Sequence, residues 1–258
     1  QTGSAVMASA ARNLCPVTLE LGGKSPVVIL DDFDLQTAVD RVMYAKCLNA
    51  GQICVTVDHV YVPAHKVNDF ISMARQVVQK RYGSKESTDY TSIIAERAFA
   101  RLANALNEAK NAGVQVLPLL DGEPLDALTR KMSPHLVINP PKDIELMTRE
   151  IFGPILPVIP YTDIKQVVSE INARPRPLAF YPFTNDVAQQ DYLIKHVMSG
   201  GVCINDLLLH VVQTDMPFGG VGASGMGQYH GYEGFLTFSK LRPIFHQARW
   251  SAASLLAP

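Results

Sequence analysis

Apolar and polar residues follow two different periods along this chain, and the period changes from segment to segment. Short runs rich in β-branched and aromatic residues are typical of buried strands, whereas apolar residues three and four positions apart are typical of helices that cover a core. The runs predict strands at 26–30, 58–62, 178–183 and 202–204, with two more around a proline-rich loop before 140. The helical spacing predicts helices at 5–14, 34–50, 67–78, 95–112, 164–171 and 186–198.

The alternation of strands and helices from residue 20 onward predicts an α/β domain. A length of 258 residues allows one large domain or two small ones, with a substantial buried core. The segment 241–250 is also strand-like, whereas 81–90 is polar and predicts a loop.

The helix that ends near Gly51 organises the chemistry of the chain. Asp34 is a good N-cap, and the apolar residues that follow it lie on one helical face. Gly51 breaks this helix and presents Cys54 just past the turn, where a thiol can be exposed and held at a fixed angle. Cys54 is therefore the candidate nucleophile. Because a thiol attacks carbonyl carbon only as thiolate, we expect surroundings that lower the pKa of Cys54.

Glu20 is the candidate second group. It lies 34 positions before Cys54, where it interrupts an apolar run and precedes Gly22 and Gly23. A carboxylate in apolar company suits a general base for water. The alternative is a solvated glutamate at a strand end, and spacing alone leaves the two interpretations about even.

Composition excludes several classes of function. The net charge is −1 and no long basic run occurs, so nothing indicates nucleic acid or an anionic membrane surface. No run of 18 apolar residues exists, which predicts no membrane anchor. Charged residues make up 18% of the chain, below the roughly 25% usual for globular domains. This shortage favours surface buried against other protein, as in an oligomer.

The four cysteines show neither metal-site nor disulfide spacing. We therefore expect no metal site and a reducing compartment, the cytoplasm. Cys15, Cys47 and Cys203 lie in helical, pre-proline or strand-like contexts, so all three are predicted to be small core residues.

Four motifs occur in the order found in aldehyde dehydrogenases, and the chain resembles that family. They are Leu-Glu-Leu-Gly-Gly-Lys-Ser-Pro at 19–26, Gly-Gln-Ile-Cys at 51–54, Glu-Ile-Phe-Gly-Pro at 150–154, and Pro-Phe-Gly-Gly-Val-Gly-Ala-Ser-Gly at 217–225. The likeness is closest to the class 3-like branch that includes coniferyl aldehyde dehydrogenases, because Gly-Val-Cys-Ile-Asn-Asp at 201–206 is followed by Leu-Leu-Leu-His.

The resemblance implies a fold and a reaction. The fold would be the family's catalytic domain, an open, mainly parallel sheet with flanking helices at 20–225. Residues 1–19 would be a remnant of the cofactor domain, and 226–258 a return segment and oligomerisation tail. In the implied reaction, the Cys54 thiolate adds to an aldehyde, hydride passes to NAD or NADP, and Glu20 activates the water that hydrolyses the thioester.

Further site residues are carried over from the family. Glu150 would hold the nicotinamide ribose and Phe152 would pack on the nicotinamide ring; in an extended segment both would point to one side. Without the resemblance, Phe152 would be core and Glu150 solvated. Asn205, His210 and Phe218 are the candidate substrate contacts, and an aromatic aldehyde of the coniferyl kind is the preferred substrate over an aliphatic one.

The resemblance also identifies what the chain does not contain. In the family, a dinucleotide-binding half precedes this point, so we expect a C-terminal fragment with little turnover alone. Gly3 and Ser4 are predicted as the loop and N-cap of a helix about a turn shorter than the family's, so no pyrophosphate contact is carried over to them. The subfamily suggests a homodimer whose tail crosses to a partner. For Lys24 we expect only a hydrogen bond to main chain near Glu20.

Three other interpretations concern these residues. The Gly-x-Gly-x-x-Gly at 220–225 is rejected as a dinucleotide fingerprint, since it follows Pro217 and Phe218 rather than a buried strand; it is predicted to be a flexible loop beside the substrate entrance. A cysteine hydrolase would use Cys54 with His210 as base, although a lone histidine is more often structural. A non-catalytic assembly domain would need no thiol at all.

Overall fold

The computed structural model describes residues 2–249 as alternating strands and helices. The helices are α1 (Thr2–Ala11), α2 (Leu35–Cys47), α3 (Val67–Tyr82), α4 (Glu96–Asn111), α5 (Glu145–Thr148), α6 (Ile164–Asn172), α7 (Val187–His196) and α8 (Gly231–Thr237). The strands are β1 (Leu19–Glu20), β2 (Pro26–Ile29), β3 (His59–Pro63), β4 (Gln115–Pro118), β5 (Leu125–Asp126), β6 (Lys131–Met132), β7 (His135–Ile138), β8 (Ile155–Tyr161), β9 (Ala179–Phe183), β10 (Gly201–Val202) and β11 (Gly225–Met226).

Seven of the strands form one sheet in the order β10-β9-β2-β3-β8-β7-β4. Neighbours are parallel except for β4, which runs antiparallel to β7. The expected α/β class with an open, mainly parallel sheet is confirmed.

Both faces of the sheet are covered because successive strand residues point to opposite sides. Val27 and Ile29 of β2 face the larger core, which α2, α3 and α4 cover, whereas Val28 faces a smaller core under α6 and α7. The apolar residues that share one face of α4 are all buried: Phe99, Leu102, Ala105, Leu106 and Ala109. Asp34 caps α2 as predicted, accepting a hydrogen bond from the Thr37 N–H at 2.8 Å.

The parallel direction of the strands brings three of the sequence motifs together. The chain enters β2 through Gly22–Ser25, enters β3 through 54–58 and enters β8 through 150–154. Because these three strands are neighbours and parallel, their amino ends lie at the same edge of the sheet. The fold therefore assembles the candidate chemistry at that edge.

The predicted bounds of the first helix are wrong. Helix α1 begins at Thr2 rather than after Ser4, and it ends at Ala11 rather than Leu14. Leu14 adopts a left-handed conformation with φ 51°, and the Cys15 N–H donates to the Ala10 carbonyl at 3.1 Å. A left-handed residue with such a return bond is a common helix end.

Two further expectations fail near the chain ends. Within 241–249 the structure has no strand, since no neighbouring strand of the described chain pairs with this segment; Trp250 lies outside the described residues. Cys15 is exposed rather than in the core, because it lies in the connection after α1, whereas Cys47 is buried and Cys203 half-buried. Helix α8 was not predicted. Among residues 2–249, no helix combines the length and hydrophobicity needed to cross a bilayer.

Candidate active site

Three consecutive left-handed residues form the turn that leads to Cys54. Asn49, Ala50 and Gly51 have φ of 50°, 51° and 71°. Only glycine adopts this conformation without cost. A Cβ at Gly51 would also stand 2.3 Å from the Gly153 carbonyl oxygen, so the absence of a side chain lets the turn approach the 150–154 loop.

Side chains tie the Cys54 turn back to the helix before it. Thr56 donates its hydroxyl to the Ala45 carbonyl at 2.8 Å, and the ammonium group of Lys46 donates to the Val57 carbonyl at 2.9 Å. Below the turn, the Tyr181 hydroxyl donates to the Val55 carbonyl at 2.6 Å. These bonds hold the thiol in place before any substrate arrives, which favours a preorganised nucleophile.

Glu20 is held opposite this turn by the glycine-rich loop. Strand β1 pairs antiparallel with β11, so that Glu20 lies across from Gly225. The Leu21 N–H donates to the Ser224 carbonyl at 3.0 Å. A Cβ on Gly225 would stand 2.3 Å from the Leu19 carbonyl oxygen, so only glycine allows this pairing. The loop, predicted as flexible, is thus partly ordered as a support for Glu20.

The structure brings Cys54, Glu20 and Glu150 together. Burial first, then the negative charge of Glu20 and a hydrogen bond with it, and then the charge of Glu150 raise the pKa of the Cys54 thiol to about 12. The Val55 N–H opposes this by stabilising the thiolate. The expected low-pKa surroundings are therefore wrong for the described chain, since two carboxylates and no cation face the sulfur.

Glu150 lies in a groove made by glycines. A Cβ on Gly22 would stand 1.8 Å from Glu150 Oε2, and the Gly23 N–H donates to the Glu150 carboxylate. Burial and then the charge of Asp58 raise the pKa of Glu150 to about 7. A carboxyl group that titrates near neutrality is a candidate functional group.

The residue-based expectation for the 150–154 motif is wrong. Phe152 is 39% exposed rather than core, and Glu150 is half-buried rather than solvated. The segment is not extended either, because Phe152 adopts a left-handed conformation with φ 47°. A bulky residue in that region is strained, and strain of this kind is concentrated at functional sites.

A large open cavity adjoins Glu150. It measures about 750 Å³ and is lined by the start of α1 at Thr2 and Gly3, by Gly22 and by Glu150. His59 also lines it; this ring is 1% exposed, and its Nε2 has no hydrogen-bond partner within the described chain. An unpaired buried nitrogen indicates that the cavity suits an occupant with hydrogen-bonding groups.

Phe218 and His210 lie in one aromatic cluster. The ring of Phe218 packs on Tyr229 at 5.6 Å and stacks on His230 at 5.8 Å between centroids, and His210 lies 6.1 Å from it. The charges of Glu20 and Cys54 both act on the Tyr229 hydroxyl, so this cluster adjoins the thiol.

His210 is not placed as a base for Cys54. Its ring is buried, burial lowers its pKa, and the charged groups that act on the Cys54 thiol are Glu20 and Glu150. The ring fits against Gly201, where a Cβ would stand 2.8 Å from His210 Cδ2. This position favours a packing role over the hydrolase interpretation.

Asn205 follows β10, and its side chain binds main chain just after β9. Its Oδ1 accepts from the Thr184 N–H at 2.8 Å, and its Nδ2 donates to the Thr184 carbonyl at 3.0 Å. These bonds fix the turn after β9, so the amide is mostly engaged with main chain. A substrate contact from Asn205 stays a prediction.

Sequence reasoning missed the charged groups behind the site. Lys24 contacts Asp58 and the main chain before Glu150, not main chain near Glu20 as expected. Lys46 is fully buried, and burial lowers its pKa to about 8. The available signal was Asp58, a carboxylate at the start of a buried strand four residues after Cys54. Among the described residues, no group of three or more His, Cys, Asp or Glu could hold a metal ion.

Comparisons with known proteins identify one family. The model of the aldehyde dehydrogenase family matches residues 1–244. A Pseudomonas aeruginosa protein named "probable coniferyl aldehyde dehydrogenase" is 47% identical over 257 residues, covering 99% of this chain and 53% of that protein. The chain therefore spans about half the length of the curated relatives it matches.

Solved structures give the same result. The substrate-bound AldH of Staphylococcus aureus superposes with a TM-score of 0.92 at 36% identity, covering 100% of this chain and 56% of that one. A Mycobacterium tuberculosis aldehyde dehydrogenase complexed with NAD+ superposes with a TM-score of 0.82 at 26% identity, covering 96% and 52%.

Proposed function

This chain belongs to the aldehyde dehydrogenase family, and from that premise we propose that it carries the catalytic half of an NAD(P)-dependent oxidation of an aldehyde to its carboxylic acid. Cys54 is the nucleophile and Glu20 the general base. The observation that supports this most is the meeting of one thiol with two carboxylates at a preorganised turn. A bound nicotinamide dinucleotide would supply the hydride acceptor.

The first step is removal of the thiol proton. Burial and the two carboxylates raise the pKa of the thiol, so the thiolate is a minor species that must form before attack. The thiol is only half-buried, so its proton passes to solvent and Glu20 stays ionised for the later step. The thiolate then forms a bond to the aldehyde carbon while the carbonyl pair moves to oxygen.

The resulting oxyanion needs a hydrogen-bond donor. Within the described chain, the Cys54 N–H makes no main-chain hydrogen bond, so it is available to donate to the oxyanion. After hydride leaves the same carbon, the acyl group remains on Cys54 as a thioester. Glu20 takes a proton from water, hydroxide adds to the thioester carbon, and the carbon–sulfur bond breaks to release acid and thiolate.

The residues of the large cavity fit a dinucleotide. Glu150 can accept hydrogen bonds from ribose hydroxyls because Gly22 leaves its carboxylate room in the cavity wall. Thr2 and Gly3 of α1 line the other end of the cavity. Phe152, half-exposed beside Glu150, would pack on the nicotinamide ring. Either NAD or NADP is the proposed cofactor.

An aromatic aldehyde of the coniferyl kind is the proposed substrate. Phe218, Tyr229 and His230 form an aromatic cluster beside the catalytic pair, in which Tyr229 and His230 are partly exposed, and this favours a flat substrate. The name of the P. aeruginosa relative points to the same class. Medium or long aliphatic aldehydes are the second choice, with Asn205 and His210 as further candidate contacts.

A second copy of the chain is the proposed partner. Apolar side chains in and after α8 remain mostly exposed, among them Phe235, Phe238 and Phe245. A homodimer would cover such a surface, which monomers rarely leave open. Sedimentation of the purified chain tests this, and a monomer at all concentrations would contradict it.

The test of the reaction adds the half of the relatives' length that this chain does not span. The amino-terminal half of the P. aeruginosa relative is placed ahead of residue 1, and aldehyde-dependent reduction of NAD+ or NADP+ is measured with aromatic and aliphatic aldehydes. We expect turnover in this chimera, little in the 258-residue chain alone, and none in Cys54→Ser. A chimera that binds dinucleotide by calorimetry but reduces none, or an active Cys54→Ser variant, would contradict the proposal.

A further inference from the structure

The ammonium group of Lys24 joins two segments of the site. Its Nζ contacts Asp58 and donates to the carbonyl oxygens of Leu146, at 2.8 Å, and Arg149, at 2.9 Å. Arg149 immediately precedes Glu150. Lys24 therefore holds the main chain on the amino-terminal side of that residue.

The carboxylate of Asp58 holds the other side. Its Oδ2 accepts the Ile151 N–H at 2.9 Å, and its own N–H donates to the Ser25 carbonyl at 2.9 Å. Burial opposes its ionisation, but Lys24 and then His59 outweigh burial and hold the pKa of Asp58 well below its usual range. Asp58 is thus a permanent, buried anion.

We propose that Asp58, together with Lys24, is a positioning residue that sets where the Glu150 carboxylate stands relative to Cys54. Contacts to Arg149 and Ile151 fix the peptide groups on both sides of Glu150, which leaves its side chain little freedom. The inference rests on the proposed function, since that function gives Glu150 its role toward the dinucleotide.

The pair of Asp58 and Lys24 suits this role because each member lies close in sequence to a residue of the proposed site. Asp58 follows Cys54 by four residues, and Lys24 follows Glu20 by four. One buried ion pair therefore ties together the segments of the nucleophile, the base and Glu150. A buried pair of this kind adds little net stability compared with apolar residues, but it fixes geometry.

Charges around Glu150 supply a way to measure its position. Asp58 raises the pKa of Glu150, and the cations that lower it are Lys24 and Arg101. Lys46 and Cys54 also respond to the Glu150 charge. Because Glu150 raises the pKa of the Cys54 thiol, Glu150→Gln should speed alkylation of Cys54. The size of that acceleration depends on how close Glu150 stands to the sulfur.

The experiment uses this acceleration to report how close Glu150 stands to the Cys54 sulfur. Iodoacetamide alkylation of Cys54 is measured at about pH 9, so that Glu150 is ionised, by peptide mass spectrometry of the 258-residue chain, with and without Glu150→Gln, in the parent, Asp58→Asn and Lys24→Met backgrounds. We expect an acceleration of about twofold to fivefold in the parent. In the Asp58→Asn and Lys24→Met backgrounds the ratio should fall close to one, because Glu150 is no longer held beside the sulfur.

Asp32→Asn is the matched control. Asp32 also holds a loop through main-chain N–H groups, accepting from Asn185 at 2.7 Å and Asp186 at 3.0 Å, but at the opposite edge of the sheet. Its ratio should equal the parent's. An unchanged ratio in Asp58→Asn and Lys24→Met would overturn the proposal, and so would an equal loss in Asp32→Asn, which would indicate general loosening.

Two features keep the outcome decisive. Asp58→Asn and Lys24→Met remove opposite halves of the pair, so either folded variant is enough. The alkylation experiment contains no aldehyde and no dinucleotide. Its ratio can therefore stay unchanged although the chimera turns over, or fall to one although the chimera is inactive. Failure of the positioning role and failure of the proposed function are therefore distinguishable.

Discussion

Replacing Glu20 by glutamine should make Cys54 more reactive towards a small alkylating agent. The substitution keeps the size and shape of the side chain and removes its charge. In the structure, burial comes first and the Glu20 carboxylate second among the causes that raise the pKa of Cys54 to about 12. Without that charge the thiolate costs less free energy, so more of the thiol ionises at a given pH.

The size of the effect follows from Coulomb's law. Two charges about 4 Å apart interact with about 1 kcal/mol in water and about 4 kcal/mol at an effective dielectric constant near 20. Glu20 is exposed, so about 1–2 kcal/mol is appropriate, which corresponds to roughly 5–30 times more thiolate. Because a thiolate of lower pKa is a weaker nucleophile, the alkylation rate should rise by only about 2- to 8-fold.

The assay compares iodoacetamide labelling of the parent and Glu20→Gln from about pH 7 to 9, with each cysteine peptide quantified separately. Cys203 is the internal reference, since burial and then Asp206 raise its pKa and Glu20 is not among the causes. Glu123→Gln, an exposed glutamate in a distant turn, is the control variant. Equal or slower labelling of Cys54 in Glu20→Gln would refute the described arrangement of the two groups.

Three other predictions follow from the same contacts. Gly22→Ala would put a Cβ 1.8 Å from Glu150 Oε2, so Glu150 must move. Turnover of the chimera should then fall by about 10²-fold. Gly113→Ala is the control: its Cβ has nothing within 4 Å but its backbone is strained, so it should lower stability and leave turnover unchanged. The pKa of Glu150 is raised from 4.5 to about 7, so its contribution to stability is present below pH 4.5 and lost as pH rises through 7; urea unfolding should show Glu150→Gln more stable than the parent by about 1–2 kcal/mol at pH 8 and no more stable at pH 4. His210→Ala should lower the rate of ester hydrolysis by less than tenfold, whereas loss of a general base would lower that rate by about 10²-fold or more.

The sequence predicted the elements that carry their own local signals. Asp34 has the side chain and position of an N-cap, and the apolar face of α4 repeats at helical spacing, so both were predicted correctly. Strand β2 is a short β-branched run buried on both faces, which a parallel sheet requires. These features depend on neighbours within a few residues.

The failures depend on contacts between distant segments. The left-handed Leu14 ends α1, and no local signal distinguishes it from a helical leucine. Phe152 was expected in an extended segment, but the approach of Gly51 to Gly153 shapes that loop. The pKa of Cys54 was expected to be low, and only the fold shows that Glu20 and Glu150 both face the sulfur.

The same distinction between local signals and contacts of distant segments applies to the candidate site. Residue types and motif order were enough to select Cys54, Glu20 and Glu150, which the fold brings together. The pair of Lys24 and Asp58 was missed because its members are 34 residues apart and each has an ordinary structural explanation in sequence. Buried ion pairs between segments leave no periodic pattern to detect.

Acylation of the Glu20→Gln variant by an activated aryl ester tests the central claim most directly. The ester transfers an acyl group to a thiolate without any oxidation, so neither aldehyde nor dinucleotide is needed. The account predicts an acyl group on the Cys54 peptide that outlasts the one on the parent by at least about tenfold, because the base for water is gone. Acylation at another cysteine, or equally fast loss of the acyl group from parent and variant, would contradict the assignment of Cys54 as nucleophile and Glu20 as base.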